Sequence, residues 1–304
     1  MNRFACTLAL AVLLSACRTS EIPPERVPRF EPFGSKPRIA LVLGSGGPRG
    51  FAHIGVIKVL DENGIKPDLV VGTSVGAMVG ALYAAGRDGA ALEELSRKIK
   101  VAQFFELSMV GIGKATGEAT QKYVNDQVGG KPIEALKTLF AAAATRVRDR
   151  QHVLFNRGDA GLAARASSAN PESFEPVRIG SEQYVDGDEV SPVPIRAARQ
   201  LGARFVIAVD VSAFAEDTPP NVPRDWVDKD ARRAAQIARE SPEADFMLHP
   251  NIGYYAGHSE EYRQRVITIA EAYTRSRMPA IRAALARAGY ATSTGPIPSG
   301  VASR

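Results

Sequence analysis

Residues 38–86 read RIALVLGSGGPRGFAHIGVIKVLDENGIKPDLVVGTSVGAMVGALYAAG, and the fold is decided here. The stretch holds two glycine-rich turns, each leaving a short apolar run and entering a helical pattern. The first is Gly44-Ser45-Gly46-Gly47-Pro48-Arg49-Gly50, after the apolar residues 39–43. The second is Gly72-Thr73-Ser74-Val75-Gly76, after residues 69–71. Its G-x-S-x-G spacing is that of a nucleophile elbow, a strand-to-helix turn so sharp that the serine hydroxyl stands free at the end of the sheet. Gly72 and Gly76 suit that turn because a side chain at either place would crowd the neighbouring backbone. A strand before, a helix after and a second glycine loop one βα unit upstream say more than the pentapeptide alone.

The first loop invites a dinucleotide-binding reading, which requires G-x-G-x-x-G. Gly44 and Gly46 fit, but Arg49 occupies the third glycine position and Gly50 falls one residue late. An oxyanion hole accounts for the loop better. Neither Gly46 nor Gly47 has a Cβ, so both backbone N–H groups can point at one spot, and the positive end of the helix starting near Pro48 adds to them. Pro48 suits a first helical position, where its missing N–H is no loss.

GSGGPRG and GTSVG, in this order and spacing, resemble the glycine loop and elbow of the patatin-like phospholipases, above all their small bacterial members. That family pairs its serine with an aspartate in a later D-G-G or D-G-A motif, matched here by Tyr184-Val185-Asp186-Gly187-Asp188. The resemblance runs from about residue 38 to about residue 289. It implies a Ser74–Asp186 dyad and an oxyanion hole at Gly46 and Gly47 supported by Arg49. The implied activity is hydrolysis of phospholipid or lysophospholipid esters, with no metal or other cofactor. Three departures stand out: Ser45 for the first glycine of the usual triple, Pro48 for a small or aliphatic residue, and Asp188 for the Gly or Ala after D-G. The last puts a second carboxylate beside Asp186 and bears on its pKa.

At 304 residues the chain suits one large domain or two small ones. Of 304 residues, 45% are hydrophobic and 23% charged, both ordinary for a globular chain. The net charge of +5 is spread over scattered arginines rather than a basic stripe interleaved with aromatics, so nucleic acid is not an expected partner. Both cysteines, Cys6 and Cys17, lie near the N-terminus. A basic start, an apolar run over residues 4–14 and small residues up to Cys17 make a secretory signal. The run is too short to span a bilayer. Leu14-Ser15-Ala16-Cys17 resembles a bacterial lipobox, which implies cleavage after residue 16 and lipidation of Cys17. An ordinary signal peptide with an incidental cysteine is the alternative. The expected organisation is a signal over 1–16, a lipidated proline-rich tether over 17–37, a hydrolase domain over 38–290 and a disordered tail over 291–304. Membrane lipids are then substrate and support at once. The expected site is the bacterial cell envelope, on the outer membrane facing the periplasm, since Arg18 is not the aspartate that retains enterobacterial lipoproteins at the inner membrane.

Along the chain, strand patterns over 38–43, 69–71, 138–147, 152–155, 183–185, 204–211 and 246–248 alternate with helical ones. This argues for an α/β fold, a central mostly parallel sheet with helices on both faces in three layers. Residues 227–239 read as a charged helix, and 259–289 as a long helical region broken or kinked near Pro279. Residues 104–117 read as a glycine-spaced apolar loop, either a lip over the site or a satellite core.

A serine hydroxyl needs a base within hydrogen-bond reach. Asp186 acting alone explains both turns and the D-G motif together. A Ser–Asp–His order along the chain leaves His249 and His258 as the other candidates. A catalytically silent lipid-binding lipoprotein and a Ser–Asp–His esterase of small lipid esters stay open at this point.

Overall fold

The computed structural model describes residues 22–36, 38–100, 104 and 113–290. Its centre is made by apolar runs too continuous to face water on either side. In β1 (Ile39–Leu43), β2 (Leu69–Thr73) and β7 (Phe205–Val209), successive side chains point to opposite faces of the sheet and nearly all are buried. That is the mark of strands covered on both sides. Leu41, Leu43 and Val70 enter the core of one face, while Ala40, Val42, Leu69 and Val71 enter the core of the other.

Eight strands form one sheet in the order β5-β6-β3-β2-β1-β7-β8, with β4 also paired to β3. The remaining strands are β3 (Leu139–Arg146), β4 (His152–Phe155), β5 (Val177–Ile179), β6 (Glu182–Asp186) and β8 (Phe246–Leu248). The pairs β1–β2, β1–β7, β2–β3 and β7–β8 are parallel, whereas β4 and β6 run antiparallel to β3 and β5 antiparallel to β6. The short strand β5 (Val-Arg-Ile) carries too little pattern to be seen in the sequence.

One face is covered by α1 (Ala52–Glu62), α2 (Val75–Ala84), α5 (Ala160–Ser167) and α8 (Glu260–Arg287), the other by α6 (Ile195–Gln200) and α7 (Arg224–Glu240). Helices α3 (Gly89–Lys98) and α4 (Glu118–Gln127) extend the first layer. The long C-terminal helix is not broken at Pro279. Buried Thr274, Met278 and Ile281 anchor it on either side of the proline, so packing outweighs the lost backbone bond.

The signal segment, Cys17 and the tail over 291–304 lie outside the described residues, as does most of the glycine-spaced loop over 104–117. Of the proline-rich stretch, residues 22–36 lie against the domain. Arg29 pairs with Arg157 as an isolated antiparallel bridge, Asp159 donates its N–H to Arg26 O at 2.8 Å, and Arg26 Nη2 meets Asp159 Oδ2 at 2.7 Å. Among the described residues, no helix is long and apolar enough to cross a membrane.

Candidate active site

The register of the sheet brings the two D-G and G-x-S-x-G motifs together. Ala143 pairs with Thr73 and with Leu154, while Ala144 pairs with Asp186 and with Val153. Both alanines share β4 on one side, so Thr73 and Asp186 lie on the same opposite side, one residue apart. Strand β2 runs parallel to β3 and β6 antiparallel, so their C-terminal ends meet head-on. Gly187 makes this approach possible: a Cβ there would lie 2.5 Å from Ala143 O and 2.9 Å from Thr73 Cγ2.

The turn after β2 is as tight as its spacing implies. Ser74 sits at φ 56°, ψ −125°, a backbone region that costs a non-glycine residue about 1–3 kcal/mol. A Cβ on Gly72 would come within 2.3 Å of Gly76 O, and one on Gly76 within 2.1 Å of Leu43 O. The strained serine is held from a place the motifs do not indicate. Its N–H donates to Ser167 Oγ of α5 at 2.9 Å, and that hydroxyl donates to Ala143 O at 2.6 Å.

The Ser74 hydroxyl donates to Asp186 Oδ2 at 2.7 Å, and the other oxygen, Oδ1, accepts the Asp188 N–H at 2.9 Å. The Asp186 side chain is buried, and its backbone is fixed by Thr145 Oγ1 donating to its carbonyl at 2.9 Å. Burial pushes its pKa up to about 7, the neighbouring Asp188 charge pushes the same way, and the Asp188 N–H, the Ser74 hydroxyl and Arg233 oppose them. A carboxyl so poised accepts a proton near neutrality far better than an ordinary aspartate.

The glycine loop hangs from the sheet by Gly44 N–H to Val209 O at 3.0 Å and Ser45 N–H to Pro192 O at 2.8 Å. It then makes a 3-10 turn, Gly47–Phe51, that runs into α1. A Cβ on Gly46 would meet Val211 Cγ2 at 2.7 Å, and one on Gly50 would meet Val75 Cγ1 at 2.3 Å, so the loop is seated directly on the start of α2. Gly47, at φ 54°, faces open space. Among the described residues the N–H groups of Gly46 and Gly47 find no acceptor. Arg49 reaches away from them and donates to Tyr254 O, joining the loop to the segment after β8; burial holds its guanidinium pKa below the usual value.

His53 and His249 are occupied elsewhere. His53 is fully buried, with its pKa pushed down to about 4, so it is neutral and donates from Nε2 to Gly44 O at 2.7 Å. His249 stacks on Phe214 with ring centroids 3.9 Å apart and places Nε2 2.9 Å from Ser212 O. His258 lines the cleft, and its carbonyl accepts from Arg263. The Ser74 hydroxyl and the Asp186 carboxylate bond to each other and to Asp188, not to a histidine.

Ser74 and Asp186 lie in a cleft of about 660 Å³. Its lining includes apolar side chains, Met78, Val79 and Leu82 of α2, Leu92 and Leu95 of α3, and Phe104, together with polar and aromatic ones, Arg49, Trp226, Lys229, Asp230, Tyr254 and Tyr255. Among the described residues, no group of three or more His, Cys, Asp or Glu is placed to hold a metal ion.

Sheet order, register and elbow define a layered α/β protein with a serine on a strand-to-helix turn. The chain belongs to the patatin-like phospholipase family, whose profile matches residues 41–199. An NTE family protein of Mycobacterium tuberculosis is 34% identical over 213 residues, 67% of this chain and 58% of that protein. The lysophospholipase NTE1 of Coccidioides immitis is 33% identical over 187 residues, 60% of this chain and 12% of its own length. The chain thus corresponds to a little over half of its mycobacterial relative and to a small part of the fungal one. Among solved structures, human GIVD cytosolic phospholipase A2 shares the fold with a TM-score of 0.51 at 10% identity, over 83% of this chain and 62% of that one.

Proposed function

We propose that this protein is a serine acyl hydrolase that cleaves phospholipid or lysophospholipid esters through a Ser74–Asp186 dyad, without a metal. The observation that carries the reading is the 2.7 Å hydrogen bond from Ser74 Oγ to the buried Asp186 carboxylate, whose pKa of about 7 suits it to accept a proton near neutrality. Ser74 Oγ attacks the ester carbonyl as its proton passes to Asp186 Oδ2. The carbonyl oxygen gains the negative charge beside the N–H groups of Gly46 and Gly47, which have no acceptor among the described residues. When the tetrahedral intermediate collapses, the C–O bond to the alcohol breaks and Asp186 returns the proton to the leaving oxygen. Water then attacks the acyl-serine with Asp186 again taking the proton. The second intermediate collapses by breaking the C–O bond to Ser74, Asp186 gives its proton to Ser74 Oγ, and the fatty acid leaves. Preorganised donors of this kind are worth about 3–4 kcal/mol each in the barrier. The apolar side chains of the cleft accept the acyl chain, and Arg49 keeps the glycine loop in place through Tyr254.

The test is Ser74→Ala together with fluorophosphonate labelling. Hydrolysis in the variant is expected at background and the adduct, located by mass spectrometry, on Ser74 alone. Ester cleavage at the wild-type rate by Ser74→Ala sinks the reading.

The lipobox-like Leu14-Ser15-Ala16-Cys17 supports a lipid-anchored protein of the cell envelope, on the outer membrane facing the periplasm. An acylated N-terminus with more than one chain holds stably where one chain does not. Cys17→Ser is expected to move the protein from the membrane to the soluble fraction; an unlipidated, soluble wild-type protein refutes the anchor.

A further inference from the structure

Two of the departures seen in the sequence touch each other. The Ser45 hydroxyl bonds to the Asp188 carboxylate, and a third residue binds both. Arg233 of α7 places Nη1 2.8 Å from Asp188 Oδ1, and its Nη2 donates to Ser45 O at 2.6 Å and Ser45 Oγ at 2.8 Å. The ion pair is largely shielded, with side chains 16% and 15% exposed, so solvent screens it little. Ser45 opens the Gly46–Gly47 loop, and Asp188 supplies the N–H that fixes Asp186 Oδ1. One guanidinium thus spans the two loops that form the site.

Helix α7 is stitched to the same loop at three places along one face. Arg233 holds Asp188, Gln236 Nε2 donates to Glu189 O at 3.0 Å, and Glu240 Oε1 accepts the Ser191 hydroxyl at 2.7 Å. The spacing i, i+3, i+7 is that of a single helical face turned toward the site. Ser191 in turn accepts Thr73 Oγ1 on its carbonyl at 3.0 Å, next to the nucleophile.

We propose that Arg233 is a positioning residue for ester hydrolysis: shared between Asp188 and Ser45, its guanidinium holds the glycine loop and the Asp186 carboxylate in one fixed relation and screens Asp186 from Asp188. This rests on the Ser74–Asp186 reading above. The charged groups that act on Asp186 are Asp188 and Arg233. The other elements packed on it present Thr73 and Ser74 from β2 and the turn, Thr145 from β3 and Ser167 from α5, none of them ionisable near neutrality. Without the cation, a bare carboxylate two residues away disfavours ionisation of Asp186, and the base holds its proton to higher pH. Ser45 also loses the donor on its carbonyl, so the loop behind Gly46 and Gly47 slackens. Arg233 touches no reacting atom.

The experiment compares wild type with R233Q, R233K, D188N and the double variant R233Q/D188N. It reads kcat and KM against pH on a soluble p-nitrophenyl ester, the melting temperature, and the titration of the Asp186 carboxyl by ¹³C NMR, assigned through its loss in Asp186→Asn. R233Q is expected to lower kcat at pH 7 by roughly tenfold to a hundredfold with KM little changed. Its acid limb and the Asp186 titration midpoint should both move up by about one pH unit. Adding D188N should bring both back down, although kcat stays below wild type because Ser45 remains unheld. R233K should restore the limb more than the rate, since one ammonium cannot fork to both partners. D188N alone, which is nearly isosteric, should move the limb below that of wild type. A rate loss equal at every pH with an unmoved midpoint overturns the proposal and leaves Arg233 a structural residue. Failure of the dyad itself shows separately, as undiminished hydrolysis by Asp186→Asn, while the NMR midpoint still reports on Arg233.

Discussion

The two loops that meet at Ser74 and Asp186 are built in opposite ways. The elbow is made chiefly by backbone contact: Gly72 and Gly76 fit against each other and against Leu43, and the Ser167 hydroxyl adds one hydrogen bond to the Ser74 N–H. The loop after Asp186 is held from far away, by Ser45, by Arg233, Gln236 and Glu240 of α7, and by Thr73. The elbow is therefore intolerant of any added atom and indifferent to distant charge. The aspartate loop tolerates changes of size better than changes of polar partner. Backbone contact is coded by glycine spacing, whereas polar stitching between segments distant in the chain is not.

The largest effect expected from this contrast is at Gly76. Gly76→Ala adds a methyl 2.1 Å from Leu43 O, where the obstacle is backbone in the central strand and cannot move aside. Loss of about 4 kcal/mol or more is expected, read as failure to fold or a collapse of the melting temperature. An unchanged Tm breaks the claim that the elbow is fixed chiefly by contact.

Asp186→Asn should lower kcat by about 10²–10⁴-fold, the usual contribution of a general base. Its stability should change in the opposite sense. The folded pKa of Asp186, about 7, lies above the unfolded value. The carboxylate therefore costs stability, with the cost absent below about pH 4 and fully present above pH 7. The asparagine variant should melt higher than wild type at pH 8 and equally at pH 4. Wild-type activity should rise through pH 7 as the base loses its proton. A variant that melts lower at pH 8 means that the buried charge is better compensated than its surroundings indicate.

The smallest effects compare the two faces of α7. Ser191→Ala removes a hydroxyl from Glu240, a carboxylate only 8% exposed, and should cost about 1–3 kcal/mol in chemical denaturation. On the outer face of the same helix, Arg224 and Asp228 are 3.6 Å apart with side chains 91% and 52% exposed. Arg224→Ala should change nothing measurable. Equal effects from the two variants would mean that α7 is not turned to the site as described.

Much was legible in residues 38–86. The apolar runs, the glycine positions and the Pro48 turn led to the two βα units, and the resemblance to the patatin-like phospholipases, not the D-G pair alone, pointed to the aspartate that meets the serine. A motif is readable when the constraint is steric and local, because a missing Cβ leaves a mark at one position. Ser167, Arg233 and Glu240 were not legible. Ser167 ends an alanine-rich helix with no motif around it, and residues 227–239 read as a solvated charged helix because a surface arginine and a stitching arginine have the same letter. Strand β5 was too short to show a period. That α8 runs unbroken through Pro279 was not legible, because local propensity counts the lost N–H and does not count the core contacts beside it.

The sequence by itself determined the elbow with Ser74 at its tip, the glycine loop and the layered α/β plan, since each depends on backbone geometry that a few neighbouring residues impose. The tertiary structure alone decided that β2 and β6 meet head-on along one side of β3, that the aspartate is buried deeply enough to keep its proton to about pH 7, and that α7 turns Arg233, Gln236 and Glu240 inward. Those outcomes rest on register, burial and charge between segments distant in the chain, and such terms take their values only when the sheet has closed.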